Sequence, residues 1–288
     1  MGPKFPSWLT KRFTREQEQE EVEKLLQENS LNTVCKSAQC PNKGECFSQG
    51  TATFMILGNT CTRNCQFCAV DSGRPSIKSR EKEIEGILKT VYELKLNYVV
   101  ITSVTRDDIA DGGLRYFIRT ANTLKEEFSD VKVELLTPDF LGKDYLLKSL
   151  AKAKFDVFNH NIETVPDLYD DIRPEADYER SIKVLETMRK SNSELAIKSG
   201  LMLGLGETEN QLFNVVEDLL EVGCEILTLG QYLQPSSEHY PVQEFISPEK
   251  FTKYRHRALN MGFKAVVAGP FVRSSYHARE TYQNAKTS

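Results

Sequence analysis

Strand-like runs and amphipathic helices alternate six times along this 288-residue chain. The strand candidates are 53–58, 97–103, 131–137, 155–161, 196–204 and 225–231, and the helix candidates lie near 80–95, 113–128, 142–152, 176–191, 208–221 and 248–261. Apolar strands joined by right-handed helical crossovers form a parallel sheet that curls into a full or partial barrel. We therefore predict an α/β fold, a partial (β/α)6 TIM-like barrel, with a seventh strand-like run at 263–269 at the edge of its sheet.

No linker or low-complexity tract interrupts this alternation, so we expect one barrel with an extension at each end. The N-terminal extension covers 1–50 and contains a polar helix at 14–29. The barrel covers 51–262, and the C-terminal extension covers 263–288. In such a barrel the catalytic groups lie at the carboxyl ends of the strands.

The composition excludes several classes of protein. Hydrophobic residues make up 40% and charged residues 27%, which is typical of a globular protein and not of a disordered or membrane protein. The net charge of −4 gives no electrostatic reason to expect nucleic-acid binding. The first residues have neither a secretory apolar core nor the acid-free composition of a transit peptide, so we expect a cytoplasmic location.

The cysteines are clustered. There are seven of them, at positions Cys35, Cys40, Cys46, Cys61, Cys65, Cys68 and Cys224, and six fall within 34 residues. An odd, clustered set without a signal peptide indicates metal ligation in a reducing compartment more than a disulfide framework. Cys224 lies alone in a helix-to-strand turn and is expected to be a small buried residue.

Directly after the first strand, Cys61, Cys65 and Cys68 follow one another with C-x3-C-x2-C spacing, and Phe67 precedes the third. Three thiolates on one short loop can hold one face of a cubane iron–sulfur cluster and leave one iron open to another ligand. The alternative is half of a zinc site, but zinc pairs usually have C-x2-C spacing with a distant second pair. The spacing therefore favours an iron–sulfur site.

A second trio, Cys35, Cys40 and Cys46, has C-x4-C-x5-C spacing, which is too irregular for one helix face. We expect it on a folded loop. Its thiols could be free or could form a zinc site with a histidine, of which the chain has four: His160, His239, His256 and His277. The neighbouring cluster motif favours a second cluster.

These motifs resemble those of a known superfamily. The C-x3-C-x2-C spacing resembles the signature of the radical S-adenosylmethionine (SAM) superfamily, as do ITSVTRDD at the second strand end and GLMLGLGE at 200–207. Within it, the second trio and four stretches resemble the lipoyl synthase family. These stretches are TSVTRDDIADGG (102–113), HNIETVPDLYDDIRPEADYERS (160–181), LMLGLGET (201–208) and VRSSYHA (272–278). The resemblance extends from about Val34 to Ala278, and it implies a barrel of the radical SAM type.

The resemblance implies a role for each matching residue. Cys61, Cys65 and Cys68 would hold a 4Fe–4S cluster whose open iron binds SAM. The residues that would surround SAM are Phe67, Thr102, Ser103, Asn161, Glu163, Arg173 and Gly204. The residues that would hold an auxiliary 4Fe–4S cluster are Cys35, Cys40, Cys46 and Ser274. An alkoxide is a hard ligand on a soft cluster, so Ser274 could be released during the reaction. The plainer interpretation is that Ser274 caps a loop, and that the polar residues around SAM form ordinary salt bridges.

The activity implied is the insertion of two sulfur atoms at carbons 6 and 8 of an octanoyl chain on a lysine of a lipoyl carrier domain. Two SAM molecules would give 5′-deoxyadenosyl radicals, and the auxiliary cluster would supply the sulfur and be consumed. The implied partners are a carrier (the glycine-cleavage H protein or a 2-oxoacid dehydrogenase acyltransferase subunit), an electron donor such as ferredoxin or flavodoxin, and an iron–sulfur carrier for cluster repair. Neither nucleic acid nor a membrane is expected as a partner.

Two alternatives make different predictions. Another radical SAM enzyme with an auxiliary cluster, such as a methylthiotransferase or a peptide-modifying maturase, would place its extra cysteines differently and would lack VRSSYHA. A non-catalytic iron–sulfur carrier would bind clusters without cleaving SAM. It would leave the SAM-binding stretches at the strand ends unexplained.

Overall fold

The computed structural model describes residues 5–10, 24–29, 31–33, 42, 45–46, 51–75 and 81–287. Two of the predicted cluster ligands, Cys35 and Cys40, lie outside the described residues, as does the first part of the predicted helix at 14–29. The described end of that helix, 24–28, is helical.

A single eight-stranded sheet forms the centre of the described part. From one edge to the other, its strands are β1 (Asn32–Thr33), β2 (Thr51–Ile56), β5 (Tyr98–Ser103), β6 (Lys132–Leu136), β7 (Val157–Asn159), β8 (Ala196–Leu203), β9 (Ile226–Gln231) and β10 (Ala265–Gly269). A small separate sheet pairs β3 (Thr60–Cys61) with β4 (Asp71–Ser72). Neighbouring strands from β2 to β10 are parallel, whereas β1 is antiparallel to β2. The predicted partial barrel is confirmed, and the run at 263–269 forms a seventh parallel strand beside β9.

Helices connect the strands as predicted. They are α1 (Glu81–Glu93), α2 (Leu114–Glu127), α3 (Asp144–Leu150), α4 (Tyr169–Ile172), α5 (Tyr178–Ser191), α6 (Glu209–Glu221), α7 (Pro248–Met261) and α8 (Ala278–Thr287). Local sequence sets where several begin: Thr208 and Gln211 form a capping box before α6, and Ser247 caps α7 with Pro248 at its first position. In the described part, no helix is both long and apolar enough to span a membrane.

The face of the strands that points into the barrel is partly polar. Residues facing the helices, such as Val99 and Val133, join the main apolar core, whereas the alternate residues face the lumen. Among these lumen residues are Glu134 and Lys198, whose side chains are fully buried and form an ion pair of 2.9 Å. Strands apolar on both faces were expected from the sequence, and this pair departs from that expectation.

Helix α8, which the sequence reasoning left unassigned, covers the amino ends of the strands. Ala278, Tyr282 and Ala285 recur at helical spacing and pack against residues that begin strands, including Tyr98 and Ala265. Its apolar stripe consists of two alanines and one tyrosine, which is too weak a pattern to read as a helix from sequence. The opposite end of the barrel, where the strands finish, carries the candidate site.

Candidate functional site

The three cysteines of the C-x3-C-x2-C motif lie together on the loop after β2. Cys61 belongs to the short strand β3, and the carbonyl oxygen of Cys61 accepts a hydrogen bond from Gly73 N at 2.8 Å. The N–H of Cys68 donates to Cys65 O at 3.1 Å, which tightens the end of the loop. All three side chains are half-buried. The loop thus places three free thiols at the carboxyl ends of the strands, as predicted.

Backbone hydrogen bonds attach this cysteine loop to three other loops of the barrel. Thr62 N donates to Thr105 O at 3.0 Å, and Gln66 N donates to Ile172 O at 2.9 Å. Gln66 O accepts from Tyr240 N, also at 2.9 Å. Because these partners follow three different strands, the position of the loop depends on the whole barrel.

Arg63, between the first two cysteines, makes the strongest contacts of the loop. Its guanidinium forms paired hydrogen bonds with Asp107 at 2.7 and 3.1 Å and with Asp139 at 2.7 and 3.0 Å. Arg180 also pairs with Asp139, at 3.3 Å. Although burial opposes it, the hydrogen bonds and charge of Arg63 lower the pKa of Asp139 to about 2. The sequence reasoning missed this arginine, and its only local signal is its position inside the cysteine motif.

Burial makes two of these thiols, those of Cys65 and Cys68, weaker acids. Burial raises the pKa of Cys68 to about 12 and raises the pKa of Cys65, against the opposing positive charge of Arg173. A soft metal centre that displaces the protons would convert them to the thiolates it needs. Among the described residues, no three His, Cys, Asp or Glu side chains are arranged around a single metal ion. A cubane cluster instead takes the three thiolates on three separate irons and leaves the fourth iron open, so the donor set fits an iron–sulfur cluster.

Asn161, Glu163 and Arg173 form a hydrogen-bonded group beside the cysteine loop. Asn161 Nδ2 donates to Glu163 Oε1 at 3.0 Å, and Arg173 Nη1 donates to Ile162 O at 2.9 Å. Burial raises the pKa of Glu163 against the opposing charge of Arg173. Glu163 has a φ of 69°, in the left-handed region, where a non-glycine residue indicates a backbone held by its surroundings. The structure therefore brings these three predicted residues together.

Buried polar atoms without a hydrogen-bond partner are used to test whether this region fits SAM. Thr102 and Ser103 end β5, and within the described part Ser103 Oγ and Arg173 Nε are buried without a hydrogen-bond partner. A buried polar atom without a partner is costly and marks a place for a ligand group. The amino, carboxylate and ribose groups of SAM supply both donors and acceptors, so these residues fit it. Phe67 packs against the small apolar cluster of Ile172, Leu205 and Tyr232.

Gly204 lies in the turn after β8 and has a φ of 92°. A side chain there would collide with Glu244 O and Gln231 Nε2. The carboxylate of Glu207 accepts hydrogen bonds from Gly204 N at 2.7 Å and Leu205 N at 2.9 Å. The G-x-x-E spacing therefore builds a closed turn, and the predicted contact of Gly204 with the adenine of SAM stays a prediction.

The C-terminal segment with Ser274 lies against the turn that contains Cys46. Tyr276 OH donates to Glu45 Oε1 at 3.0 Å, and His277 Nε2 lies 3.2 Å from the same oxygen. Asn42 Nδ2 also donates to the carbonyl of Phe271. Two parts of the predicted auxiliary site, Cys46 and the segment of Ser274, are thus neighbours, although Cys35 and Cys40 lie outside the described residues.

The buried imidazole of His160 predicts a pH dependence of stability. Burial and then the charge of Arg173 lower the pKa of His160 from 6.5 to about 4. The unfolded chain therefore binds this proton more readily than the folded chain. The resulting stability is fully present above pH 6.5 and is lost as the pH falls toward 4. We expect urea unfolding between pH 7 and pH 4 to show a loss of up to about 3 kcal/mol from this group.

The variant His160→Gln should lose this part of the pH dependence. His256→Gln, at an exposed position on α7, is the matched control and should retain it. Equal pH dependence in the two variants would show that His160 does not titrate as inferred.

Known proteins that are similar to this chain indicate its family. The radical SAM superfamily model matches residues 55–219. The lipoyl synthase of Caldicellulosiruptor saccharolyticus is 50% identical over 98% of both chains, and that of Caldanaerobacter subterraneus is 48% identical over 96% of this chain and 97% of its own. The FeFe-hydrogenase maturase HydG from Carboxydothermus hydrogenoformans shares the fold, with a TM-score of 0.61 at 15% identity over 93% of this chain and 69% of its own. With its cysteine loop at the carboxyl ends of a partial barrel, this chain belongs to the radical SAM superfamily and, within it, to the lipoyl synthase family.

Proposed function

We propose that this chain inserts two sulfur atoms, at carbons 6 and 8, into an octanoyl group carried on a lysine of a lipoyl carrier domain. The observation that carries the proposal is the convergence of three elements on one end of the barrel. These elements are the cysteine loop, the group of Asn161, Glu163 and Arg173, and the Ser274 segment. In this segment Ser274 Oγ donates to Asn161 Oδ1 at 3.1 Å, and Tyr276 contacts Glu45 beside Cys46.

The residues of this chain form two cluster sites, one for SAM cleavage and one for sulfur donation. Cys61, Cys65 and Cys68 hold the first 4Fe–4S cluster, and Arg63 N–H donates to the sulfur of Cys61 at 3.4 Å, a contact that tunes a cluster's potential. The residues that we propose to surround SAM are Phe67, Thr102, Ser103, Asn161, Glu163, Arg173 and Gly204. When bound, the reduced cluster and SAM supply a 5′-deoxyadenosyl radical that removes a hydrogen atom from the octanoyl chain, and the auxiliary cluster supplies the sulfur.

The auxiliary site combines both extensions of the barrel. Its proposed ligands are Cys35, Cys40, Cys46 and Ser274. The contacts of Asn42 and Glu45 with the C-terminal segment support this placement, because they join residues more than two hundred positions apart in the chain. The proposed division is an N-terminal extension (1–50), a barrel (51–262) and a C-terminal extension (263–288) whose strand β10 joins the sheet of the barrel.

Further partners follow from the chemistry of the reaction. Reductive cleavage of SAM needs a one-electron donor, for which a ferredoxin or flavodoxin is suitable, and a consumed cluster needs an iron–sulfur carrier to rebuild it. The proposed carrier domains are the glycine-cleavage H protein and the acyltransferase subunit of a 2-oxoacid dehydrogenase. A cytoplasmic location, where such partners are reduced, completes the proposal.

Mass spectrometry of an octanoyl-lysine peptide tests the function. After anaerobic incubation of the reconstituted protein with SAM and dithionite, we expect the mass increase of two inserted sulfur atoms, with two hydrogens lost only once the two new thiols are oxidised to a disulfide. A peptide carrying unmodified lysine is the control and should not change. Formation of 5′-deoxyadenosine without any sulfur in the peptide would support another radical SAM reaction and overturn this one.

A further inference from the structure

A series of hydrogen bonds through the barrel lumen ends on Ser274. Lys198 Nζ lies 2.9 and 3.0 Å from the two carboxylate oxygens of Glu134. Asn159 Nδ2 donates to Glu134 Oε1 at 2.7 Å and to Ser274 Oγ at 2.7 Å. Ser274 Oγ donates in turn to Asn161 Oδ1 at 3.1 Å. The buried ion pair is thus linked, through one amide, to the proposed auxiliary ligand.

The two ends of this series determine the direction of every hydrogen bond in it. A carboxylate only accepts, so the amide nitrogen of Asn159 must face Glu134. At the other end, Asn161 turns its nitrogen to Glu163 Oε1, 3.0 Å away, and its oxygen to Ser274. The Ser274 oxygen therefore accepts from Asn159 and directs its own hydrogen to Asn161.

Asn159 has little freedom to move. Its side chain is fully buried, and the Glu134 carboxylate that holds it is itself fixed by Lys198 and by Tyr98 OH at 2.6 Å. Within the described residues, Asn159 Oδ1 has no hydrogen-bond partner. A buried amide that leaves its oxygen unsatisfied is costly, and such a cost is often associated with function.

We propose that Asn159 is a positioning residue for Ser274 in its role as a ligand of the auxiliary cluster. The inference rests on that proposed role of Ser274. A donor 2.7 Å from the serine oxygen stabilises negative charge on it, whether it is a hydroxyl or an alkoxide. Asn159 therefore holds the oxygen in place and favours its deprotonated form, which is the form that binds iron.

The test measures the auxiliary cluster directly. In the full-length chain with Cys61, Cys65 and Cys68 replaced by alanine, all cluster iron belongs to the auxiliary site. After reconstitution with ⁵⁷Fe, Asn159→Leu should alter the Mössbauer signal of the oxygen-ligated iron. It should also release one iron to a chelator about tenfold faster, because a hydrogen bond to a charged oxygen is lost.

Two further variants are the controls for this result. Ser274→Ala should alter the same signal, since it removes the oxygen ligand. Tyr98→Phe removes a different hydrogen bond from the same Glu134 without touching Ser274, and it should change the signal and the release rate far less, because Lys198 still holds both oxygens of Glu134. A Tyr98→Phe change as large as that of Asn159→Leu would show a general disturbance of the lumen and overturn the inference.

The outcomes distinguish a failure of the inference about Asn159 from a failure of the proposed ligand role of Ser274. If Ser274→Ala alters the signal and Asn159→Leu does not, Asn159 is not a positioning residue. If Ser274→Ala leaves the signal unchanged, Ser274 is not a ligand and the inference fails with it. Should circular dichroism show that Asn159→Leu is unfolded, Asn159→Ala, which removes the same donor without adding bulk, decides the question in the same assay.

Discussion

Replacing Cys61 by alanine is expected to abolish the formation of 5′-deoxyadenosine from SAM, by at least about a thousandfold. The expected iron content falls from about eight to about four atoms per chain, because one of two 4Fe–4S clusters loses a thiolate. Cys61 is anchored in β3 and its sulfur accepts the Arg63 N–H at 3.4 Å, so the substitution removes a thiolate that is held in one position. The measurements are iron analysis after anaerobic reconstitution and chromatography of the SAM cleavage products.

Cys224→Ala is the matched control for this substitution. The Cys224 thiol is buried, and it donates only to backbone carbonyls, at 3.4 Å to Ile226 O and 3.6 Å to Ile197 O. Loss of these weak contacts should leave iron content and SAM cleavage unchanged. Undiminished 5′-deoxyadenosine from Cys61→Ala would contradict the assignment of the cysteine loop.

Most of the barrel could be predicted because its elements carry their own local signals. Each strand candidate overlaps an observed strand, and the start of α6 follows from Thr208 and Gln211 alone. The cysteine motif could be interpreted for a similar reason, since all three residues lie on one short loop. Helix α8 could not, because its stripe of Ala278, Tyr282 and Ala285 acquires an apolar partner only when the strands assemble.

The polar contacts that organise the site could not be predicted from the sequence, because they join distant parts of the chain. Lys198 and Glu134 are 64 residues apart, and Arg63 and Asp139 are 76 apart. Charged residues stand inside the strand-like runs, but the sequence shows neither that they meet in the lumen nor which carboxylate pairs with which cation. Register and closure of the barrel decide that pairing.

Replacing Arg63 by methionine is expected to destabilise the chain by about 3–5 kcal/mol, the cost of leaving a buried charge without its partner. The Asp139 side chain is 1% exposed, and Arg180 at 3.3 Å compensates only in part. The pKa of Asp139 is lowered from 3.8 to about 2, so its contribution is fully present above pH 3.8 and is lost as the pH falls toward 2. At neutral pH we therefore expect Arg63→Met to show the full loss of stability.

The same substitution should also release the cysteine loop, because Arg63 joins it to the loops after β5 and β6 through Asp107 and Asp139. Urea unfolding at pH 7 measures the destabilisation, and iron analysis measures the occupancy of the first cluster. Arg115→Met is the matched control, since Arg115 pairs with Asp111 at 3.9 Å on the surface and should cost no more than about 0.5 kcal/mol. If Arg63→Met were as stable and as iron-replete as this control, the pairing of Arg63 with Asp139 would not be what holds the loop against the barrel.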